Sequence, residues 1–501
     1  MDAKSLSADP QLLLGELLAL RQAVYQEGLD MFRRWLPEIE RPSFRYSALN
    51  LAFYLALRRR DIRPYQRALR PWGLSSLGRS EAGAIANLDA VIASLSCICG
   101  RQDEVGIKHP PTRNFYHGEW SLTRQTKAVF GPAPQRRAVR IMVTFSSECA
   151  SNYDLVKRLL LSGMDVARIN CAHDHKEVWQ AMAANVRQAE QETGRTCKIF
   201  MEIAGPKPRI DKILLHGAQA KVSPGSRLFL TKGDFNLEEA VDMVVSCTIP
   251  EILRDLAIAD IINIDDGQIV AEVERIRPEG AIVRILSTAK EQAVGIKPGK
   301  GLNFPGKHLT LSPITDKDKA DLDVIVPLAD AVGYSFVKSA ADIRLLQDEL
   351  TQRLGRNLQT LPLMAKIETD EAVGNLAEII VQAAAKQPFA VMIARGDLAV
   401  EVGYKRLAEL QEEILWICEA AHVPVIWATQ VLENLVKHGT PSRAEITDAA
   451  MAERAECVML NKGPFIVEAV AMLDDILTRM DAHQHKKSPQ LRALSIAGKR
   501  D

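Results

Sequence analysis

The chain has 501 residues, 47% of them hydrophobic and 25% charged, and its 63 basic side chains balance 63 acidic ones. This length predicts more than one domain, and the composition is typical of a globular protein. Because the charges balance, we expect neither nucleic acid nor a membrane surface as a partner. Eight scattered cysteines without metal-ligand spacing, and a first segment unlike a secretion signal, predict a cytoplasmic protein.

The first 130 residues are predicted to be helical, because apolar residues recur at helical spacing. A basic stretch with aromatic residues, RRRDIRPYQRALRPWG, runs from Arg58 to Gly73. It could bind an anion or RNA, but a solvated helix face is the favoured interpretation in a neutral chain. Prolines and polar residues between Lys108 and Gln135 predict a linker.

From Val139 onward, eight short apolar runs alternate with helix-like segments, which predicts an α/β fold, a closed parallel (β/α)₈ barrel. The runs begin at Val139, Asp165, Cys197, Ala331, Leu361, Phe389, Val423 and Glu456. Strand-like segments separate the third run from the fourth and predict an inserted β-rich lid domain. We assign 1–130 to the helical region, 136–209 and 301–485 to the barrel, 210–300 to the lid and 486–501 to a tail.

Barrel enzymes place their active sites at the C-terminal ends of the strands, where polar residues follow seven of these runs. In LPLMAKIETDE, strand alternation places Lys366 and Glu368 on one face. Glu368 and Asp397 offer hard oxygen ligands suited to Mg²⁺ or Mn²⁺. The positive side chains nearby are Arg168, Arg209, Lys300 and Lys366. Metal ligands beside cations predict phosphoryl transfer, with Lys366 free for the phosphoryl group rather than paired with Glu368.

Motifs between about residues 139 and 480 resemble those of the pyruvate kinase family. In chain order they are SGMDVARIN, DDGQI, GKGLNFPG, SPITDKDKADLD, SFVKSAAD, AKIETDEAVGN, VMIARGDLAVE and ATQVLENLVKHGTPSRAEITDAA. The resemblance implies a TIM barrel with a mobile lid inserted after the third strand. It also implies a glycolytic, magnesium-dependent transfer from phosphoenolpyruvate to ADP, giving pyruvate and ATP.

The resemblance further implies roles for single positions. Lys366 matches the lysine that steadies the moving phosphoryl group, and Arg168 matches the arginine that contacts the phosphate. Glu368 and Asp397 match the ligands of the divalent metal, and that metal also holds one end of phosphoenolpyruvate. The residues that match the remaining groups are Thr429 and the Gly396 backbone beside the substrate, Asn170, His173, Arg209 and Lys300 on the nucleotide side, and Asp265 and Asp266 in the lid.

The chain departs from the family at the usual potassium ligands, where Ala172, Glu202 and Ile203 stand. A potassium-independent branch of the family carries a lysine at the position of Lys207 and an aliphatic residue at that of Ile210. A lysine ammonium can supply the positive charge of a monovalent cation. We therefore expect activity without added K⁺.

Other departures keep alternatives open. TFSSECAS from Thr144 replaces the family's TIGP, NKGPF from Asn461 replaces SGET, and Ala399 replaces a glycine. The alternatives are a divalent-metal-dependent pyruvate or phosphoenolpyruvate lyase and a catalytically silent regulatory homologue. We expect no C-terminal effector domain, and we expect the helical region to pack on the barrel or to form a homo-oligomer contact.

Overall fold

The computed structural model of the chain describes residues 6–74, 76–215, 221–233, 241–265, 267–289, 293–305, 312–486 and 488–490. Asp266 and most of the tail assigned to 486–501 lie outside the described residues.

Helices dominate the N-terminal region. They are α1 (Pro10–Trp35), α2 (Arg45–Arg58), α3 (Arg63–Leu69), α4 (Ala84–Ile98), α5 (Gln102–Val105) and α6 (Arg113–Phe130). The start of α1 follows from its sequence, because the Asp9 carboxylate accepts hydrogen bonds from the N–H groups of Gln11 and Leu12 and Pro10 occupies the first turn. The apolar faces of α1, α2 and α4 share one buried cluster.

The segment Glu81–Ile98 is long and apolar enough to cross a membrane by length and composition alone. However, 56% of that segment is buried inside the protein. Leu88 and Ile92 of α4 lie in the same cluster as Leu13 and Leu17 of α1. The segment is therefore a core element of the helical region.

The linker predicted between Lys108 and Gln135 is wrong over 113–130, where the chain forms α6. The polar composition of this segment concealed a narrow apolar face that includes Leu122, Val129 and Phe130. Val129 and Phe130 are buried among side chains that fill the barrel interior, and the Phe130 ring stacks on Phe200 with centroids 5.8 Å apart. The end of α6 therefore closes the N-terminal end of the barrel.

The helical region packs on the barrel, as expected. Ser47 and the buried His422 are hydrogen-bonded at 2.9 Å, and the backbone N–H of Arg41 donates to the carbonyl of Ala385 at 2.8 Å. Phe44 and Leu51 share a buried cluster with barrel side chains.

The first part of the barrel and the insertion follow in chain order. The barrel elements are β1 (Arg140–Thr144), α7 (Glu148–Ser151), α8 (Tyr153–Ser162), β2 (Val166–Asn170), α9 (Lys176–Thr193) and β3 (Lys198–Ile203). The inserted strands are β4 (Ile210–Leu215), β5 (Lys221–Val222), β6 (Arg227–Thr231), β7 (Met243–Cys247), β8 (Ile261–Ile264), β9 (Ile269–Arg277), β10 (Gly280–Thr288), β11 (Val294–Gly295) and β12 (Leu302–Asn303).

The second part completes the barrel and ends in a short hairpin. Its elements are α10 (Asp316–Leu328), β13 (Ala331–Tyr334), α11 (Ala340–Leu354), β14 (Leu363–Ile367), α12 (Asp370–Gly374), α13 (Leu376–Ala384), β15 (Phe389–Ala394), α14 (Arg395–Val402), α15 (Tyr404–Ala420), β16 (Val425–Ala428), α16 (Glu433–His438), α17 (Arg443–Met451), β17 (Cys457–Leu460), α18 (Ile466–Met480), β18 (Gln484–His485) and β19 (Ser488–Pro489).

The predicted fold class is confirmed. All eight predicted runs form parallel strands, each paired with its neighbour in barrel order, and β1 pairs with β17 to close the barrel. The insertion after the third strand is a seven-stranded sheet in the order β12-β8-β9-β10-β6-β7-β4. The alternation predicted for β14 also holds, because Met364 points into the barrel cluster whereas Leu363 and Ala365 pack against the surrounding helices.

Candidate active site

A cavity of about 250 Å³ opens at the C-terminal end of the barrel strands. It brings together most of the side chains predicted to bind substrate. Its lining includes Arg168, Lys366, Asp397 and Thr429, together with Asn170, Glu202, Lys207, Arg209, Phe336 and Asn461. Strand ends that are far apart in sequence therefore meet at one mouth, as the barrel topology requires.

Arg168 is held by a buried carboxylate on the next strand. Its Nε and Nη2 atoms donate to the two carboxylate oxygens of Glu202 at 2.9 and 2.8 Å, and Nη1 donates to Thr144 at 3.0 Å. Burial raises the pKa of Glu202, but the charges of Arg168 and Lys366 outweigh this and lower it to about 2. The pair therefore stays ionised and fixes the arginine in one orientation.

Lys366 lies between two carboxylates. Its Nζ is 2.7 Å from Glu368 Oε1 and 3.3 Å from Glu202 Oε1. The expectation that Lys366 and Glu368 would not pair is thus wrong in this structure. Burial opposes the charge of Lys366, but Glu202 and Glu368 outweigh it and raise its pKa. The ammonium is held at the cavity wall by Glu202 on β3 as well as by Glu368, which follows Lys366 along the chain.

Glu368 and Asp397 are the two acidic side chains predicted to hold a metal. Glu368 Oε2 accepts a hydrogen bond from the Phe336 N–H at 2.6 Å. Burial raises the pKa of Glu368 to about 7, with Lys366 opposing and Asp397 adding to the rise. Burial also acts on Asp397, but Lys207 and Lys366 outweigh it and lower its pKa. Glu368 therefore has the higher pKa of the two carboxyls and is the one that carries a proton at mildly acidic pH.

The described residues contain no cluster of three or more His, Cys, Asp or Glu side chains that could hold a metal. Mg²⁺, however, is usually bound by one or two carboxylates, with water and substrate oxygens completing its shell. Glu368 and Asp397 follow adjacent strands, and a lysine ammonium lies beside each of them. The donor set fits a divalent cation of this kind.

Lys207 brings a further ammonium group to the cavity. Its Nζ lies 2.6 Å from Asp397 Oδ1 and 5.4 Å from the centre of the Phe336 ring. Asn303, from the last strand of the insertion, lies 3.5 Å from the same oxygen. Sequence reasoning did not identify Asn303, although it belongs to the GKGLNFPG motif.

Thr429 follows β16 with a left-handed backbone conformation, φ 65°, which residues other than glycine rarely adopt. The next residue, Gln430, has a φ of 59°. The Thr429 hydroxyl oxygen accepts a hydrogen bond from the N–H of Gly396 at 2.8 Å. Arg395 secures this turn, since it donates to the carbonyls of Ala428 and Thr429 and forms an ion pair with Asp448. Thr429 is thus positioned by backbone strain that its neighbours stabilise.

A second cavity, of about 320 Å³, adjoins the first and shares Arg168, Asn170 and Asn461 with it. His173 lines it, together with Lys437 and Lys462, which sequence reasoning did not select. Burial lowers the pKa of His173, and the charge of Lys462 adds to this effect.

The four residues predicted on the nucleotide side do not all meet in this second cavity. Asn170 and His173 line it, whereas Arg209 lines the first cavity. Lys300 lines neither and pairs instead with Asp265 at 2.7 Å, where the insertion joins the barrel.

Comparisons with known proteins agree on one family. Residues 134–470 match the family model described as "Pyruvate kinase, barrel domain". A pyruvate kinase of Geobacillus stearothermophilus is 31% identical over 359 residues, which cover 70% of this chain and 58% of that relative. One from Mycobacterium tuberculosis is 30% identical over 381 residues, 74% of this chain and 72% of the relative. The crystal structure of a pyruvate kinase from Cryptosporidium parvum superposes with a TM-score of 0.61 at 26% identity, covering 71% of this chain and 72% of that one.

Proposed function

This chain belongs to the pyruvate kinase family, and we propose that it transfers the phosphoryl group of phosphoenolpyruvate to ADP, forming pyruvate and ATP in cytoplasmic glycolysis. The observation that carries this proposal is the meeting of Arg168, Lys366 and Asp397 at one mouth of the barrel, with the buried Glu368 carboxylate directly beside Lys366. Fixed cations beside two metal-binding carboxylates suit a substrate that bears both a phosphate and a carboxylate.

The cavity favours an anionic substrate through its charge. Four cationic side chains, Arg168, Lys207, Arg209 and Lys366, line it against the carboxylates of Glu202 and Asp397. Arg168 uses three of its five N–H donors on Glu202 and Thr144, which leaves two for a phosphate oxygen. Glu202 is therefore the positioning residue for the phosphate-binding arginine.

Glu368 and Asp397 would hold Mg²⁺ or Mn²⁺, which when bound polarises the substrate oxygens as a Lewis acid. Lys366 is 2.7 Å from Glu368 in the structure. Its flexible stem lets the ammonium turn from this carboxylate to the phosphoryl group, where it neutralises developing negative charge. Glu202 keeps the ammonium near that position during the exchange.

Thr429 is suited to the proton transfer that turns an enolate into pyruvate. Because its oxygen accepts the hydrogen bond from Gly396, its own hydrogen is available to point into the cavity. The second cavity would take ADP, with Asn170 and His173 on its wall and Lys437 and Lys462 facing the phosphates. The lowered pKa of His173 favours its neutral form, which binds by hydrogen bonding rather than by charge.

We also propose that this activity needs no K⁺. Both carboxylate oxygens of Glu202 are engaged by Arg168, and Ala172 and Ile203 offer no side-chain oxygen. Lys207 places an ammonium beside Asp397 instead. The rate should change less than twofold when K⁺ replaces another monovalent cation at constant ionic strength. A rise of more than about tenfold, equivalent to over 1 kcal/mol of barrier, would contradict the proposal.

A coupled assay of pyruvate formation tests the main proposal. Pyruvate should appear only when phosphoenolpyruvate, ADP and Mg²⁺ are all present, and Lys366→Met should abolish it. Pyruvate formed from phosphoenolpyruvate without ADP would instead indicate hydrolysis, with water as the phosphoryl acceptor, whereas pyruvate released from a 4-hydroxy-2-oxo acid would indicate lyase chemistry.

The silent regulatory homologue remains a second candidate, favoured by one observation: Lys366 is engaged by both Glu368 and Glu202. This candidate predicts that phosphoenolpyruvate binds, as measured by calorimetry, while no pyruvate forms under any of these conditions.

A further inference from the structure

A cavity of about 560 Å³ lies between the helical region and the barrel, larger than either cavity at the barrel mouth. The end of α2 and the turn that follows it form one wall, and Trp416 of α15 contributes the barrel side. We call it the interdomain cavity. Its volume lies in the range of about 300–1,000 Å³ that is typical of sites for small molecules.

Arginine is the dominant charged residue of the interdomain cavity. Four arginines line it, against the two carboxylates of Asp61 and Glu81. The arginines are Arg58, Arg59, Arg60 and Arg63. They come from the basic stretch whose favoured interpretation from sequence was a solvated helix face.

Two of these arginines are neutralised by neighbouring carboxylates. Arg60 pairs with Glu27, and Arg63 pairs with Asp61 at 2.8 Å. Within the residues that the structure describes, neither Arg58 nor Arg59 forms an ion pair with a carboxylate. The Glu81 carboxylate, which also lines the cavity, offsets one of their two charges, so a net positive charge is left for a ligand.

Arg58 is held in place by aromatic side chains rather than by an anion. Its guanidinium lies 4.8 Å from the centre of the Trp416 ring and donates to the Tyr54 hydroxyl at 2.8 Å. The Tyr54 hydroxyl in turn donates to the buried carboxylate of Glu81 at 3.0 Å. A planar guanidinium fixed in this way matches a phosphate with paired hydrogen bonds and loses little side-chain freedom on binding.

We propose that the interdomain cavity binds a small phosphorylated molecule through Arg58 and Arg59. Its concave shape favours a small molecule over RNA, which would follow an exposed basic surface. Because Trp416 belongs to the barrel, the ligand would touch both units. Asn50 already joins them at this place, donating to the carbonyls of Ala420 and Glu81 at 2.9 and 2.7 Å.

The test is calorimetric titration of the full-length protein with inorganic pyrophosphate at low ionic strength. We expect one binding event at the barrel mouth and a second at the interdomain cavity. Arg58→Gln with Arg59→Gln should weaken the second event at least tenfold. The matched control, Arg67→Gln with Arg70→Gln, removes two exposed arginines that do not line the cavity, and it should stay within twofold of the unaltered protein.

Arg59→Glu reverses an exposed charge without disturbing the packing on Trp416, so it should also abolish the second event in a protein of unchanged melting temperature. The proposal is overturned if the Arg58 and Arg59 variants bind pyrophosphate as the unaltered protein does, or if both double variants weaken binding equally. It is also overturned if a short single-stranded RNA binds more tightly than pyrophosphate and loses affinity in both double variants.

Discussion

Glu368 should exchange a proton for a divalent cation near neutral pH. Burial raises the pKa of its carboxyl to about 7, whereas that of Asp397 is lowered, so the pair holds close to one proton below pH 7. A divalent cation needs both carboxylates ionised. Its binding should therefore displace the proton from Glu368.

The size of the effect follows from that pKa. Metal binding should release about 0.9 of a proton at pH 6 and about 0.1 at pH 8. The affinity for Mg²⁺ should accordingly be about tenfold weaker at pH 6 than at pH 8, or about 1.4 kcal/mol.

In the metal-free protein, the folded state binds the proton of Glu368 more tightly than the unfolded state. This group therefore stabilises the fold at low pH, and its contribution of about 3 kcal/mol is lost as the pH rises from about 4.5 through 7.

Calorimetric titration with Mg²⁺ in two buffers of different ionisation enthalpy measures the protons released. Glu368→Gln should abolish the release and weaken the binding. Asp370→Asn, which removes an exposed carboxylate two residues away, should leave the release unchanged. Fewer than about 0.2 protons released by the unaltered protein at pH 6 would refute the reasoning.

Three further predictions concern the site and its support. Thr429→Ala should slow pyruvate formation about 100-fold in the coupled assay, because it removes a proton donor. Thr429→Ser, which keeps the hydroxyl, should retain most of the rate. Equal rates for the unaltered protein and both variants would exclude Thr429 as the proton donor. Glu202→Gln should lower the unfolding free energy in urea by about 3 kcal/mol, because it leaves a buried arginine without its counter-ion. Glu192→Gln, at an exposed ion pair, should change the unfolding free energy far less, and similar losses would contradict the argument. Phe130→Ala should lower the unfolding free energy by about 3–5 kcal/mol in the same measurement, because it opens a void at the N-terminal end of the barrel. Tyr116→Ala, on the exposed face of α6, should have little effect on the unfolding free energy. A Phe130→Ala variant as stable as the unaltered protein would mean that α6 does not close the barrel.

The sequence predicts the barrel well because its signals are local and repeated. Each of the eight strands is a short apolar run, and alternation along β14 correctly places Lys366 on the inner face. The polar residues that follow the strands converge because parallel strands share one C-terminal edge. None of this required knowledge of contacts between distant residues.

The failures concern features that depend on such contacts. A polar segment read as a linker is helical because the barrel interior offers Val129 and Phe130 a place to be buried. The nucleotide-side role of Lys300 stays a prediction, but its ion pair with Asp265, which the fold of the insertion brings near it, was not expected from the sequence. In both cases, the partner that decides the outcome lies far away in sequence.

The pairing of Lys366 with Glu368 shows the same limit within the site. Alternation alone leaves open whether two side chains on one face pair with each other or with a substrate. Glu202 decides this in the structure, because it engages Arg168 with both oxygens and approaches Lys366 more distantly, at 3.3 Å. Lys366 is left to Glu368, its nearer partner at 2.7 Å.

In the proposed K⁺-independent reaction, Glu202 and Lys207 together take the place of the family's potassium site. Both oxygens of Glu202 accept hydrogen bonds from Arg168, so the proposal takes the positive charge from another residue. Lys207 supplies it from the loop that leaves the same strand, with its ammonium 2.6 Å from Asp397. Because that charge is covalently attached, it carries no entropic cost of recruiting an ion, and it lowers the pKa of Asp397 before any substrate arrives. Glu202 on β3 thus fixes the orientation of Arg168, and Lys207 in the loop after β3 lowers the pKa of Asp397.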